Sequence, residues 1–135
     1  FGVDYVTGAA LFLKKEIVER YGLFDPDYFM YYEETDMQLR YRRFGFQSVV
    51  IDTPEIVHLS EGSSERGKLI SKKILSLRSM LLFFRKNRSL IGFVFFKMAF
   101  LVMYLPFVVV SPYDLDDKIK YIKLIFRCVK EGEVK

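Results

Sequence analysis

The chain is 135 residues long, 51% apolar, rich in aromatics (14 Phe, 9 Tyr), and carries a formal net charge of +4. This is about one domain's worth of chain with ample material for a core. Its single cysteine, Cys128, excludes an intramolecular disulfide and any cysteine-rich metal site, and on a helical apolar face it reads as a small buried hydrophobe.

The sequence opens Phe1-Gly2-Val3-Asp4, with no initiating Met and no signal peptide, and reads as a piece of something larger. Residues 3–7 and 9–13 are predicted strands by their β-branched and aromatic content. Gly8 lies between them, and a glycine there marks a bulge or a close approach by another backbone or a ligand, the bulge being the commoner case. Residues 14–21 form a short predicted helix with Ile17 and Tyr21 on one face and Gly22 as its stop. A turn follows at Phe24-Asp25-Pro26-Asp27, where Pro26 presets φ and the flanking aspartates favour turn geometry. Tyr28, Phe29 and Tyr31 then lead into Glu33, Glu34 and Asp36 at the start of the central helix. That helix has acidic residues in its first turn, Arg40, Arg42 and Arg43 in its last, and Gly45 as its C′ residue. Such acids serve equally as ordinary helix-start residues, with Asp36 and Arg40 at ion-pair spacing, or as carboxylates in a cleft. Residues 47–52 and 55–59 are predicted strands on either side of Thr53-Pro54. The order strand, helix, turn, helix, strand predicts an α+β fold, a partial mixed sheet under covering helices, whose strands need neighbours from outside the chain. His58 is the only histidine, and a lone His at a strand end is more often structural than a ligand.

Residues 60–67, Ser-Glu-Gly-Ser-Ser-Glu-Arg-Gly, read as a loop and mark a boundary in composition. Residues 1–65 carry 6 Lys/Arg against 12 Asp/Glu, a net of −6; residues 66–135 carry 15 against 5, a net of +10. The predicted domains are therefore 1–65 and 66–135, with the basic half facing something anionic. Ile70, Ile74, Leu77, Leu81 and Phe84 give a helical stripe. Residues 90–110 are apolar apart from Lys97 and are expected to break near Pro106. A last helix begins at Asp116 and Asp117, with Ile119, Ile122, Phe126 and Val129 on one face and Lys120, Lys123, Arg127 and Lys130 on another. At about 1.5 Å per residue the middle stretch is long enough for a bilayer core of about 30 Å. In-plane membrane association, a span, and burial against a partner subunit all remain open for it, and a homodimer is among the expectations. No nucleic-acid recognition motif is present.

Three stretches together resemble family 2 glycosyltransferases of the GT-A fold, in their rhamnosyltransferase-like branch. V-T-G-A-A-L-F-L-K-K-E resembles the V-x-G-A-x-L-x-x-R-R-E element. G-L-F-D-P-D-Y-F-M-Y-Y-E-E-T-D-M-Q-L-R resembles the G-x-F-D-x-x-F-F-x-Y-x-E-D-x-D-L-x-x-R signature. Ile56 to Ser63 resembles a V-x-H-x-x-x-x-S element. The likeness covers about residues 3–64; residues 68–135 share only general character. It implies the acceptor-binding half of an inverting, metal-dependent enzyme. That enzyme would move a sugar from a nucleotide-sugar donor to a glycan or lipid-linked acceptor in surface polysaccharide synthesis, at the cytoplasmic face of a membrane, peripheral or monotopic, with an anionic membrane surface as partner. The catalytic positions it implies are Glu34 and Asp36, and the substrate-binding ones Gly8, Ala9, Asp25, Tyr31 and Glu33. The metal position is His58, for Mg²⁺ or Mn²⁺ completed by residues outside this chain, since a D-x-D motif is absent. The family's base, the second acid of E-D-x-D, falls on Glu34, one methylene longer. The rival expectation is a non-catalytic membrane-docking or assembly module whose basic helices carry the function.

Overall fold

Helix signals in this sequence are local and strong, whereas strand signals depend on a second segment to pair with. The computed structural model describes residues 2–51, 53, 55–57 and 66–131. Among these, the elements in order are β1 (Gly2–Val3), α1 (Lys15–Tyr21), α2 (Glu33–Arg43), β2 (Ser48–Val49), α3 (Arg66–Asn87), α4 (Leu90–Val110) and α5 (Leu115–Glu131). The chain divides into two compact units, Phe1–Ser63 and Ser64–Lys135.

The expected α+β fold with a partial GT-A mixed sheet is corrected by this architecture, which is mostly helical. The described sheet has two strands, paired antiparallel through Gly2 with Val49 and Val3 with Ser48. The reason is hydrogen-bond supply. A strand needs a neighbour for its N–H and C=O groups, and among the described residues β1 and β2 pair with each other alone, over two residue pairs. Residues 5–7 and 9–13 lie outside any strand, as do 50, 51 and 55–57. At Val6 the neighbour is replaced by a side chain. Gln38 Oε1 accepts from Val6 N–H at 2.8 Å and Gln38 Nε2 donates to Val6 C=O at 2.7 Å.

In the first unit α2 is the central element. Met37 is fully buried, and Tyr41 and Gln38 are buried beside it. Arg40 and Tyr41 tie α2 to the end of α1: the Arg40 guanidinium donates to the carbonyls of Tyr21, Gly22 and Leu23, and Tyr41 OH donates to Gly22 C=O at 2.6 Å. The Tyr21 carbonyl is one that α1 leaves without a helical donor, and the other two belong to the residues that follow it. Tyr21 packs its ring on Phe44 (centroids 4.4 Å apart) and on Phe46 (5.4 Å). Gly45, at φ 86°, ends α2 in a Schellman turn: Gly45 N–H bonds Arg42 C=O at 2.9 Å and Phe46 N–H bonds Tyr41 C=O at 3.1 Å.

The second unit is an antiparallel three-helix bundle. Leu77 and Leu81 of α3, Phe93, Phe100 and Val108 of α4, and Tyr121 and Ile125 of α5 form its buried core. Phe84 stacks on Phe96 at 3.7 Å and Phe100 on Tyr104 at 4.2 Å, fixing α3 against α4 and giving α4 a continuous aromatic ridge. Burial, followed by the nearby Tyr104 and Tyr113, pushes the Tyr121 hydroxyl up to about 12. Ser89 caps α4 by accepting from Gly92 N–H at 3.2 Å. At the other end Lys118 Nζ donates to Val109 C=O at 2.8 Å, where a cation also suits the helix dipole. The expected break at Pro106 does not occur, and α4 runs through it to Val110. Pro106 removes one backbone bond, but Tyr104 packs against the core on one side of it and fully buried Val108 lies within the core on the other.

Candidate functional site

The start of α2 collects most of the residues singled out above. Its approach begins with the turn at Asp25, where Tyr28 N–H bonds Asp25 C=O at 3.1 Å and Asp27 N–H bonds Asp25 Oδ1 at 3.0 Å. This double closure is the behaviour expected of Asp-Pro-Asp, and it turns the Tyr28 side chain inwards. Tyr28 is buried, and its OH donates to Asp36 Oδ1 at 3.2 Å. Burial, then the Asp36 carboxylate, holds the Tyr28 hydroxyl far above the ordinary tyrosine value. Asp36, itself buried, therefore links the turn to α2, and its N–H makes the first helical bond, to Tyr32 C=O at 2.8 Å.

Between turn and helix, Tyr31 and Tyr32 both sit at φ 67°. Left-handed geometry costs a residue with a Cβ of order 1–3 kcal/mol, and such strain concentrates at functional sites. Tyr32 occupies the N-cap position but its side chain caps nothing. In place of a cap, α2 has the charges of Glu33, Glu34 and Asp36 in its first turn, which interact favourably with the exposed N–H groups there.

Glu34 is the point where the two halves of the site meet. Tyr5 OH donates to Glu34 Oε1 at 2.8 Å, and burial, then this bond, raises the Tyr5 hydroxyl above its usual range. A Cβ placed on Gly8 would lie 3.6 Å from Glu34 Cγ and 3.7 Å from its Cδ, an ordinary contact. Gly8 thus passes directly beside the Glu34 side chain, with Ala9 exposed next to it. Glu34 Oε2 is shielded from water and accepts no hydrogen bond among the described residues; Glu33 Oε2 is in the same condition. A buried acceptor without a donor is costly and calls for an explanation. An unclaimed carboxylate oxygen can also take an O–H, once the side chain turns it out of its shielded position.

Gly8 and Glu34 are thus brought together, Glu33 and Asp36 lie in the same first turn of α2, Asp25 is joined to Asp36 through Tyr28, and Tyr31 is on the strained approach. Along α2 the side chains of Glu33 and Asp36 share one side, and Glu34 projects from another, towards Gly8. His58 lies outside the described residues. Among the described residues no three of His, Cys, Asp and Glu converge in a way that could hold a metal ion, so they do not by themselves fit a divalent cation.

Two positioning residues were missed in the sequence, Tyr5 and Gln38. Besides its two bonds to Val6, Gln38 Nε2 donates to Glu34 C=O at 3.1 Å, and its Oε1 accepts from Ser48 Oγ at 3.2 Å. The available signal was its place one helical turn after Glu34. A cleft of about 640 Å³ opens on the Met37–Gln38–Tyr41 side of α2, walled by residues 10–13 and 48–51. Its lining does not include Gly8, Glu33, Glu34 or Asp36, so its wall and the carboxylates are separate surfaces joined through Gln38.

In the second unit, α4 is long and apolar enough to cross a membrane. Comparisons of the chain with protein-family models, curated proteins and solved structures gave no match.

Proposed function

We propose that the first unit is the acceptor side of an inverting glycosyltransferase, with Glu34 as the base. The observation that carries this reading is the meeting of Gly8 with Glu34. Gly8 and Glu34 belong to different motifs of the glycosyltransferase likeness and are 26 residues apart in the chain, yet Gly8 passes beside the Glu34 side chain, whose carboxylate has one unclaimed oxygen. In the proposed step the Glu34 side chain first turns Oε2, shielded in this structure, towards the acceptor, and a hydroxyl on a glycan or lipid-linked acceptor donates its proton to it. The hydroxyl oxygen forms the bond to the donor's anomeric carbon as the bond to the nucleoside diphosphate breaks, with inversion. Tyr5 holds Oε1, so the proton goes to Oε2. Gly8 leaves room beside the carboxylate for the sugar, and Asp36 keeps the helix start in place through Tyr28. A divalent ion, Mg²⁺ or Mn²⁺, when bound would steady the departing diphosphate. It would rest on His58 and on residues outside this chain, which would also supply most of the donor site. The proposed location is the cytoplasmic face of a membrane, peripheral or monotopic, with an anionic surface as partner.

The test is transfer by the full-length gene product against a panel of nucleotide sugars. Glu34→Gln keeps shape and removes the basic oxygen, so kcat is expected to fall by about 100-fold or more with donor affinity retained. Asp36→Asn is expected to act on stability, through its bond from Tyr28. An active Glu34→Gln beside a folded but inactive Asp36→Asn would move the base to Asp36. A second reading, a non-catalytic membrane-docking module, is favoured by the apolar length of α4, and Glu34→Gln leaves such a module unaffected.

A further inference from the structure

The outward face of α4 is the largest structural feature that sugar transfer leaves unused. Ile91, Val94, Phe95, Met98, Val102 and Val109 recur at helical spacing and are all exposed. The opposite face, Phe93, Phe100 and Val108, is in the core. The one charge within α4, Lys97, is not on the outward face: its Nζ lies 4.6 Å from the centroid of the Phe93 ring, on the core side of the helix. The helix therefore presents an uncharged apolar stripe about 30 Å long, its 21 residues rising about 1.5 Å each. An exposed stripe of that size on a folded unit marks an interaction surface.

Two further observations say what covers it. Cations gather around the stripe's ends. Arg85, Lys86 and Arg88 come immediately before α4, Lys118 is bonded to its last turn, and Lys73 Nζ sits 5.5 Å from the Phe107 ring centroid. The acidic residues nearby, Asp114, Asp116 and Asp117, are few, and Asp117 pairs with Lys120 at 3.7 Å. A second copy would set these cations against their own kind, whereas an anionic leaflet complements them. Crossing is disfavoured by the bundle itself. α3 and α5 run antiparallel alongside α4 and carry Lys72, Arg78 and Arg85, and Lys120, Lys123 and Arg127, along its length. A spanning α4 would either drag those charges into hydrocarbon or lose its core.

We infer that α4 lies in the plane of one anionic leaflet, its Ile91–Val109 face sunk among the acyl chains and the bundle kept intact above it. This rests on the membrane location proposed above and is independent of the sugar-transfer reading.

Sedimentation with phosphatidylcholine–phosphatidylglycerol vesicles tests it. The double substitution Met98→Asp, Val102→Asp places charges at two exposed positions, so the bundle's helical circular dichroism should persist. Partitioning is expected to fall by about 100-fold. The chain contains no Trp, so Ile91→Trp, Met98→Trp and Val109→Trp each give a single fluorescent reporter. All three should be quenched most, and about equally, by lipids brominated near the headgroup end of the chain. Deep quenching of Met98→Trp alone, with the other two shallow, would mean a span and overturn the inference. Unchanged binding by the double-Asp protein would also overturn it while leaving membrane association intact. Failure of the parent chain to bind anionic vesicles would remove the location and the inference together. A concentration-dependent dimer, abolished by the double substitution and indifferent to vesicles, would assign the face to a second copy instead.

Discussion

Replacing Gln38 by Ala should release the segment that carries Tyr5 and Gly8 from α2. All four hydrogen-bonding positions of the Gln38 amide are used, on Val6 N–H, Val6 C=O, Glu34 C=O and Ser48 Oγ. A typical protein hydrogen bond contributes about 1 kcal/mol net, and a buried group left without its partner costs about 1–3 kcal/mol. Val6 is half-buried, so water recovers part of this loss, and Gln38→Ala should cost the first unit about 3 kcal/mol. Amide hydrogen exchange gives the sharper readout because Val6 N–H has a side-chain acceptor. Its protection should drop by about 100-fold, at 1.4 kcal/mol per factor of ten, while amides within α3 and α4 keep theirs. Gln38→Glu separates donor from acceptor. Its carboxylate can still take Val6 N–H but faces two carbonyls where Nε2 had donated, so it should destabilise the unit and recover in part on acidification, when a protonated Glu can donate once. Equal Val6 exchange in the parent chain and Gln38→Ala would refute the reasoning, because the segment would then be held by something other than this amide.

Alkaline pH should weaken both units through their tyrosines. Tyr28 and Tyr121 have raised folded values, so between about pH 10 and those values the folded chain keeps protons that the unfolded chain has lost. Their contribution is complete below about pH 10 and falls above it by up to about 1.4 kcal/mol per pH unit for each group. Denaturant melts should show this slope, and Tyr28→Phe should remove the first unit's share. Ser89→Ala deletes the α4 cap and should cost about 1 kcal/mol, a midpoint drop of about 5 °C for the second unit. His58→Ala in the full-length protein should lower metal-dependent transfer, with partial rescue by added Mn²⁺ or Mg²⁺; unchanged activity and metal dependence would remove the ligand assignment.

The helices were readable because their determinants lie within the segments. α2 has its acids first, its arginines last and Gly45 beyond, and the stripe Ile74, Leu77, Leu81, Phe84 of α3 repeats with helical period. The strands were over-read for the converse reason. Residues 9–13 have strand composition, but pairing is a property of two segments, and the described residues offer 9–13 no second one. Pro106 misled because a breaker rule weighs one lost hydrogen bond and not the core contacts on either side. At the candidate site, Gly8 and the acids could be singled out from their motifs. Their contact could not, because it depends on Gln38 bonding a segment 32 residues away and on Tyr5 reaching Glu34.

Pro106 also has a consequence for hydration. Every carbonyl in a helix looks four residues ahead for its donor, and for Val102 that residue is a proline, which has no N–H to give. Val102 lies on the exposed apolar stripe, so this carbonyl opens towards whatever medium the stripe enters. In hydrocarbon it would forfeit its hydrogen bond at a cost of several kcal/mol, whereas near the headgroups a water molecule can supply it. A single imino acid thus acts as a draught mark on α4, setting how deep the helix can settle before it must strip water from its own backbone.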